Sequence, residues 1–397
     1  MPVKPVIEFL YTNIGRGHPF YLDGITDALI HLGQVKLVRH QQDVFELSSG
    51  LSLVGWKLAR WLYQSGSSGG PAGAIYSRLR GGDYNRPGVA LRIMGRQVRK
   101  RFLPTDSPLL VAHPTLVGVL GGRPNLIYQH GELVAPPESL VRGAAFVMVP
   151  TKDVARRFVE AGCSEDALFI SGLCVEPSLI RQAEDAYRLR RSRLESDVAL
   201  TGAFFSSGAE PADHVAQLAK AAVSVSQAGH SAIVFAREGG RFEAAAAEAF
   251  HRAGILPEQI DSRGWTEVDS FAAAIVAYDS RRALNALTAR LFPRFDFFAA
   301  PSHERVNWAV GLGLPMFVVE PCIGPFAGLN RDLVLQHGTA QLLQGDSTVE
   351  RLGELVSELR RQNRLSEMAE AGWDRYPIDG FSRIAAWLVE RFGGGQN

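Results

Sequence analysis

The pattern that decides the fold lies at residues 296–321, DFFAAPSHERVNWAVGLGLPMFVVEP. An apolar run, a polar turn and a stretch with helical spacing follow one another up to Gly313. A Gly-Leu-Pro turn then leads into a second apolar run, which ends at Val319. A strand, a helix and a second strand in this order predict a βαβ unit, whose two strands lie parallel in one sheet.

The same alternation begins the chain. Residues 6–11 predict a strand, residues 15–18 a glycine turn, residues 21–32 a helix and residues 35–40 a second strand. Further strands are predicted at 109–112, 125–128, 145–149 and 168–171, and in a second half at 198–202, 231–236, 295–300 and 315–319. We therefore expect an α/β fold with two Rossmann-like domains, each built on a doubly wound parallel sheet.

The expected domain boundaries lie where this alternation changes. We expect an N-terminal domain at 1–177, an interdomain helix or linker in the charged stretch 178–196, and a C-terminal domain at 197–376. Residues 377–397 contain an amphipathic pattern that predicts a closing helix.

Composition excludes several classes of protein. A chain of 397 residues with 46% hydrophobic residues is a folded protein large enough for two domains. A net charge of +1 gives no electrostatic argument for binding nucleic acid. Three widely spaced cysteines form neither a disulfide framework nor a zinc motif, and no stretch predicts a membrane span. We therefore expect a cytoplasmic protein without a metal site.

Two glycine- and hydroxyl-rich turns are candidates for binding an anionic group. Gly15 and Gly17 open the first helix, where backbone N–H groups can approach a phosphate, and His18 beside them has a side chain suited to general-base work. Ser206, Ser207 and Gly208 follow the first strand of the second half and can cradle a diphosphate. Neither turn is a P-loop or a GxGxxG motif, and each can equally serve packing alone.

The quoted stretch supplies the third set of candidates. The helix expected to begin near residues 302–305 would present its N-terminus to a phosphate. Polar residues around it are candidates for binding phosphate, sugar or ribose groups of a donor: Ser302, His303, Glu304, Asn307, Glu320 and Asn330.

The order of these motifs resembles the GT-B superfamily that includes the murein N-acetylglucosaminyltransferase and the monogalactosyldiacylglycerol synthases. The first glycine turn, His113-Pro114 after an N-domain strand, and the Gly-Leu-Pro turn with the downstream Asn330 carry the resemblance. It implies a GT-B fold with the acceptor on the N-domain, near His113, and the nucleotide sugar mainly on the C-domain. The closing helix would cross back to the N-domain.

The chain departs from the family pattern at two places. The family's donor-site glutamate, which binds the ribose of the nucleotide, falls on Trp308, and the acidic residue after the HP strand is replaced by His130-Gly131-Glu132. The resemblance implies a metal-independent, inverting glycosyltransferase that uses a UDP-sugar and no other cofactor. His18 or the pair His130 and Glu132 would take the proton of the acceptor hydroxyl.

Two alternatives stay open at this point. A GT-B nucleotide-sugar epimerase or hydrolase would use the same cleft without an acceptor, with Glu132 and Glu320 as the carboxylates for proton transfer. A non-catalytic GT-B protein that only binds a ligand or partner is the other alternative, because an indole cannot accept the hydrogen bonds of ribose hydroxyls.

The segment 51–103 combines many basic residues with aromatic ones. The segment contains ten Lys and Arg residues and a single acidic residue, Asp83. Trp56, Trp61 and Tyr63 lie near the start of the segment. Such a segment can dock on the inner face of a membrane and would suit a glycan or lipid-linked acceptor. The alternative is a solvated basic face, with the aromatic residues in the core.

Overall fold

A computed structural model describes residues 7–12, 17–66, 84–86, 88–260 and 271–393. Of Gly17, His18, Val35, Arg39, His40 and residues 63–66 it describes the backbone alone. The chain divides into two compact units: unit 1 is formed by residues 1–177 and 377–397, and unit 2 by residues 178–376.

Each unit is built on one parallel sheet. The strands of unit 1 are β1 Ile7–Tyr11, β2 Val38–Asp43, β3 Leu109–Val111, β4 Leu126–Gln129, β5 Phe146–Val149 and β6 Leu168–Ile170. Those of unit 2 are β7 Thr201–Phe205, β8 Ser231–Arg237, β9 Glu258–Ile260, β10 Ala273–Tyr278, β11 Phe297–Ala300, β12 Met316–Val319 and β13 Ala340–Leu343.

Helices connect the strands. The first group is α1 Gly17–His31, α2 Val44–Leu47, α3 Gly50–Gly66, α4 Val89–Met94, α5 Arg96–Phe102, α6 Pro114–Leu120, α7 Lys152–Glu160 and α8 Pro177–Ile180. The second group is α9 Ala183–Leu194, α10 Ala212–Gln227, α11 Arg241–Arg252, α12 Arg281–Leu291, α13 Val306–Gly311, α14 Pro325–Gln336, α15 Asp346–Glu350, α16 Leu352–Arg361, α17 Arg364–Gly372 and α18 Gly380–Phe392. Within the described ranges, no helix is both long and apolar enough to cross a membrane.

The sheet of unit 1 is covered on both faces, as parallel sheets require. Phe9 packs with Ile25 of α1 and with Phe381 and Leu388 of α18 on one face. The closing helix therefore completes the core of unit 1, far in sequence from the strands that it covers. The other face packs against α5, α6 and α7.

Unit 2 incorporates the charged helix that precedes its first strand. Arg190 of α9 is fully buried, and its guanidinium donates to the carbonyls of Phe295, Leu312 and Gly313. Residues 178–196, which the sequence suggests as an interdomain helix or linker, thus belong to unit 2 and hold its chain together at the turn after α13.

The predicted fold class is confirmed: both units are doubly wound α/β units with parallel sheets. The boundaries differ in places. The first strand of unit 2 begins at Thr201 instead of Val198, which is exposed. The strands β9, β10 and β13 were not among the predicted ones.

Candidate functional site

Both sheets contain a topological switch point. In unit 1 the strand order β2-β1-β3-β4-β5-β6 places the switch between β1 and β3, and in unit 2 the order β13-β12-β11-β7-β8-β10-β9 places it between β7 and β11. Ligands of open α/β sheets bind outside the carboxyl ends of the strands at such points. The residues that follow β1, β3, β7 and β11 are therefore the first candidates for a binding site.

In unit 2 the chain leaves β7 through the predicted hydroxyl-rich loop. Ser206 comes directly after the strand and is buried, and among the described residues its Oγ has no hydrogen-bond partner. The loop continues through Ser207 and Gly208 to α10, a helix of 16 residues whose N-cap, Pro211, provides no side-chain hydrogen bond. A buried hydroxyl beside the uncapped N-terminus of a long helix is suited to an anionic group such as a diphosphate.

The loop after β11 is fixed by the predicted residues Ser302 and Asn330. The Ser302 Oγ donates to the carbonyl of Ala327 at 2.7 Å, and the Asn330 Nδ2 donates to the carbonyl of Ser302 at 3.2 Å. Both side chains are buried, and they join this loop to α14. These two hydrogen bonds fix the position of the loop that follows β11 at the switch point.

The short helix α13 differs from its expected form. It begins at Val306, after His303 and Glu304, and it has six residues, with Asn307 buried in its first turn. The helix therefore begins one residue after the expected range 302–305, whose residues form a bend and a turn. A helix of this length contributes little to the binding of a phosphate, which leaves α10 as the longer helix at this edge of the sheet.

Trp308 lies in the aromatic core of unit 2. Its side chain is 2% exposed and makes edge-on contacts with Phe205 and Phe292, with ring centroids 5.4 and 6.0 Å apart. The guanidinium of Arg305 covers the Phe205 and Trp308 rings from the other side, with its central carbon 4.4 and 5.3 Å from the ring centroids. The indole thus fills the core at the position where the resemblance places a ribose-binding carboxylate.

Glu320, at the end of β12, is held by two partners. Its carboxylate accepts from the Cys322 backbone N–H at 2.9 Å and from the Arg331 guanidinium at 3.1 Å. This loop is also held from α10, where His214 and Gln217 donate to the carbonyls of Pro321 and Glu320.

The geometry of His214 determines its protonation. Its Nε2 is 2.7 Å from the Pro321 carbonyl, which can only accept, so this nitrogen carries the proton. Burial lowers the pKa of His214 below its ordinary value, so the ring is neutral at pH 7. Its Nδ1 has no partner among the described residues, and neither has the Gln217 Oε1. His214 was not among the predicted site residues, since a histidine inside a helix gives no signal of its own.

In unit 1 the predicted catalytic pair has two different environments. His130 is 2% exposed, and its ring nitrogens contact the Tyr128 hydroxyl at 3.3 Å and the Val134 carbonyl at 3.1 Å. These contacts make His130 an anchor of the loop after β4. Glu132 is half-buried, and its Oε1 accepts from the Tyr21 hydroxyl of α1 at 3.2 Å.

Gly131, between these two residues, has a steric reason to be glycine. A Cβ at this position would lie 2.0 Å from a carbon of the Tyr21 ring. The absence of a side chain lets the tyrosine pack under the loop and reach Glu132. Tyr21 was not among the predicted site residues, since a tyrosine inside a helix gives no signal of its own.

Two described residues follow the strands at the switch point of unit 1, the predicted His113 and Thr12, which was not predicted. His113 is buried, and its Nδ1 accepts from the Thr115 backbone N–H at 3.1 Å, which caps α6. Thr12, directly after β1, is fully buried, and its hydroxyl has no partner among the described residues. The predicted residue Gly15 lies outside the described residues. Gly17 and His18 belong to α1, and the side chain of His18 lies outside what the structure describes.

The two doubly wound units, each with a switch point at the carboxyl edge of its sheet, define a GT-B-like fold. No protein-family model matches the chain, and no curated protein matches its sequence.

Solved structures with this fold cover nearly the whole chain. UDP-GlcNAc 2-epimerase from Neisseria meningitidis bound to UDP-GlcNAc is similar with a TM-score of 0.57 and 10% identity, over 97% of this chain and 99% of that one. The co-structure of S. aureus MnaA with UDP has a TM-score of 0.51 and 11% identity, over 98% and 96% of the two chains. UDP-GlcNAc 2-epimerase from Methanocaldococcus jannaschii, in complex with UDP-GlcNAc and UDP, has a TM-score of 0.50 and 12% identity, over 97% and 99%.

These similarities confirm the GT-B part of the expectation and show the fold alone. The closer resemblance to the murein and galactolipid transferases stays a prediction.

Proposed function

We propose that the protein is a nucleotide-sugar epimerase whose unit 2 binds the nucleotide diphosphate at residues 206–208 and the N-terminus of α10. The observation that carries the proposal is the buried Ser206 hydroxyl, which lacks a partner at the β7/β11 switch point. Helix N–H groups and a hydroxyl stabilise a diphosphate without a metal ion. The similarity of the whole chain to structures of UDP-GlcNAc 2-epimerases supports UDP as the nucleotide.

Epimerisation at the carbon next to the anomeric carbon needs a destination for the electron pair of the broken C–H bond. As a base removes the proton, UDP leaves the anomeric carbon with the electron pair of its C–O bond, and a C–C double bond forms. UDP then adds back while a proton returns to the carbon from the other face. Glu132 is the carboxylate that we assign to this proton transfer in unit 1. The hydrogen bond from Tyr21 holds its Oε1 in place, and a carboxylate positioned in this way is suited to general acid-base work. Glu320 is the weaker candidate because Arg331 and the Cys322 N–H already occupy its carboxylate.

The test is incubation of the purified protein with UDP-GlcNAc in D₂O, followed by mass spectrometry and NMR of the recovered nucleotide sugar. We expect one deuterium on the epimerised carbon and a mixture of two epimers, with no acceptor added. Glu132→Gln should lower the rate by about 10²-fold or more. Tyr21→Phe is the matched control: it keeps the carboxylate, and we expect a smaller loss. Full activity of Glu132→Gln would refute the assignment of the residue.

A second candidate function is glycosyl transfer from the same nucleotide sugar to an acceptor hydroxyl. The specific observation in its favour is the exposed apolar stripe of α3 (Leu51, Val54, Leu58 and Trp61), which suits a lipid-linked acceptor. Peripheral association with the inner face of a membrane would bring the protein to such an acceptor. UDP release that depends on an added acceptor, with no deuterium in the recovered donor, would favour transfer over epimerisation. Binding of UDP without either reaction would favour a non-catalytic GT-B protein.

A further inference from the structure

An apolar stripe runs along the outward face of α3. Leu51, Val54, Leu58 and Trp61 are spaced by three or four residues and therefore lie on one side of the helix. They are 78%, 61%, 54% and 57% exposed, and these are the largest apolar side chains on this side of α3. A surface helix of a soluble protein usually shows polar residues there.

The neighbouring helix also has exposed apolar side chains. The α4 helix packs beside α3, with the Trp56 Nε1 donating to the Met94 carbonyl at 3.0 Å. On α4, Val89 and Ile93 are four residues apart and exposed. We call the exposed apolar residues of α3 and α4 together the α3/α4 face.

The inward side of α3 is already packed. Trp56 is fully buried, and a Cβ at Gly55 would lie 2.5 Å from the Met94 side chain. Ser52, also buried, donates to the Met94 carbonyl as well. The inward side of α3 thus packs within unit 1, and the exposed stripe is a second apolar side of the same helix. This packing holds the stripe in place without a partner.

The two stretches that form the α3/α4 face carry charges of one sign. Residues 51–66 contain two basic residues and residues 88–103 contain five, and neither stretch contains an acidic residue. Arg99 and Arg101 are used inside the protein, since they donate to the Val119 carbonyl and to the Glu8 carboxylate. Four other cations of these stretches are exposed: Lys57, Arg92, Arg96 and Lys100.

We propose that the α3/α4 face docks on an anionic lipid surface. Apolar side chains that enter the boundary between headgroups and acyl chains, with cations beside them, are the arrangement that interfacial helices use. A second copy of this chain is a poorer partner, because two-fold pairing of the face brings the same cations together. The proposal goes beyond the reaction and holds for an epimerase as well as for a transferase.

The test is co-sedimentation of the full chain with vesicles of phosphatidylcholine alone and with about one third phosphatidylserine. We expect binding to the vesicles with phosphatidylserine and a loss of binding at high salt. The variant Leu58→Gln/Trp61→Gln should bind at least about tenfold more weakly, because two exposed apolar side chains no longer enter the lipid. Lys57→Gln/Arg92→Gln should weaken binding to phosphatidylserine vesicles selectively.

The control variant is Leu256→Gln, which changes a leucine of unit 2 that is 94% exposed. It should bind vesicles as the unchanged protein does. Equal vesicle binding by the control and by Leu58→Gln/Trp61→Gln would overturn the proposal. So would a dimer of the unchanged protein in analytical ultracentrifugation that Leu58→Gln/Trp61→Gln dissociates, since the face would then be an interface between copies.

Discussion

Trp308 gives the sharpest test of the binding site in unit 2, because the resemblance and the structure assign it different roles. If the position faces the nucleotide, Trp308→Glu should restore a ribose-binding carboxylate and strengthen the binding of UDP. The structure predicts the opposite. The indole is 2% exposed among Phe205 and Phe292, so the substitution places a carboxylate in an aromatic core.

The expected cost follows from the buried area. A buried tryptophan removes about 150–250 Å² from water, which is worth about 4–6 kcal/mol at about 25 cal/mol per Å². Desolvation of the carboxylate adds to this cost. Because domains are stable by only about 5–15 kcal/mol, we expect unit 2 of Trp308→Glu to be largely unfolded. Trp308→Phe keeps an aromatic ring and should cost about 1–2 kcal/mol, with UDP binding unchanged.

Urea unfolding followed by far-UV circular dichroism, with and without UDP, measures both quantities. Trp61→Glu is the matched control, since the same change at a position that is 57% exposed should alter the unfolding free energy by less than about 0.5 kcal/mol. A folded Trp308→Glu protein with an unchanged midpoint and tighter binding of UDP would refute the assignment of Trp308 to the core.

Three further predictions concern the two candidate sites. Ser206→Ala should weaken UDP binding about tenfold in calorimetry without lowering the melting temperature, since the hydroxyl bonds to nothing in the described protein; an unchanged affinity would contradict its role. Because burial lowers the pKa of His214, the unfolded chain binds more protons, so stability should fall as the pH drops below the ordinary value of 6.5, by up to about 1.4 kcal/mol per pH unit. His214→Gln should flatten this dependence in thermal melts between pH 7 and 5. Gly131→Ala should displace Tyr21 from Glu132 and reduce turnover, whereas unchanged kinetics would show that the Tyr21 contact is dispensable.

Much of the fold could be predicted from local patterns. Apolar runs that end in glycine, proline or polar residues marked β1, β3–β6, β8, β11 and β12, and the closing helix was visible from its spacing. The strand β10, AAIVAY, was missed because alanine has little preference for strands and the run does not alternate. The role of α9 was missed because its charged sequence hides Arg190, whose partners lie more than one hundred residues away.

The candidate site could be located from the sequence only in part. The loop at residues 206–208 was predicted from its small and hydroxylated residues, which are a local signal. A polar side chain can bind a ligand or can bond to another part of the protein. Contacts between residues far apart in the sequence decide between the two, and a local sequence pattern does not reveal these contacts. Asn330 bonds to Ser302, and His214 bonds to Pro321, 107 residues further along.

One regularity links the two units and bears on what they bind. Thr12 and Ser206 occupy equivalent positions, each directly after the first strand of its unit and beside the switch point of its sheet. Each hydroxyl is buried and without a partner among the described residues. A buried polar group left without a hydrogen bond costs about 1–3 kcal/mol, which an apolar side chain at the same position would avoid. This cost disappears when a ligand or an ordered water supplies the missing bond, so packing alone does not account for a hydroxyl at both positions. A polar ligand that binds at the switch point of a unit supplies the missing bond there, and the diphosphate that we propose for unit 2 has oxygens that can accept from Ser206.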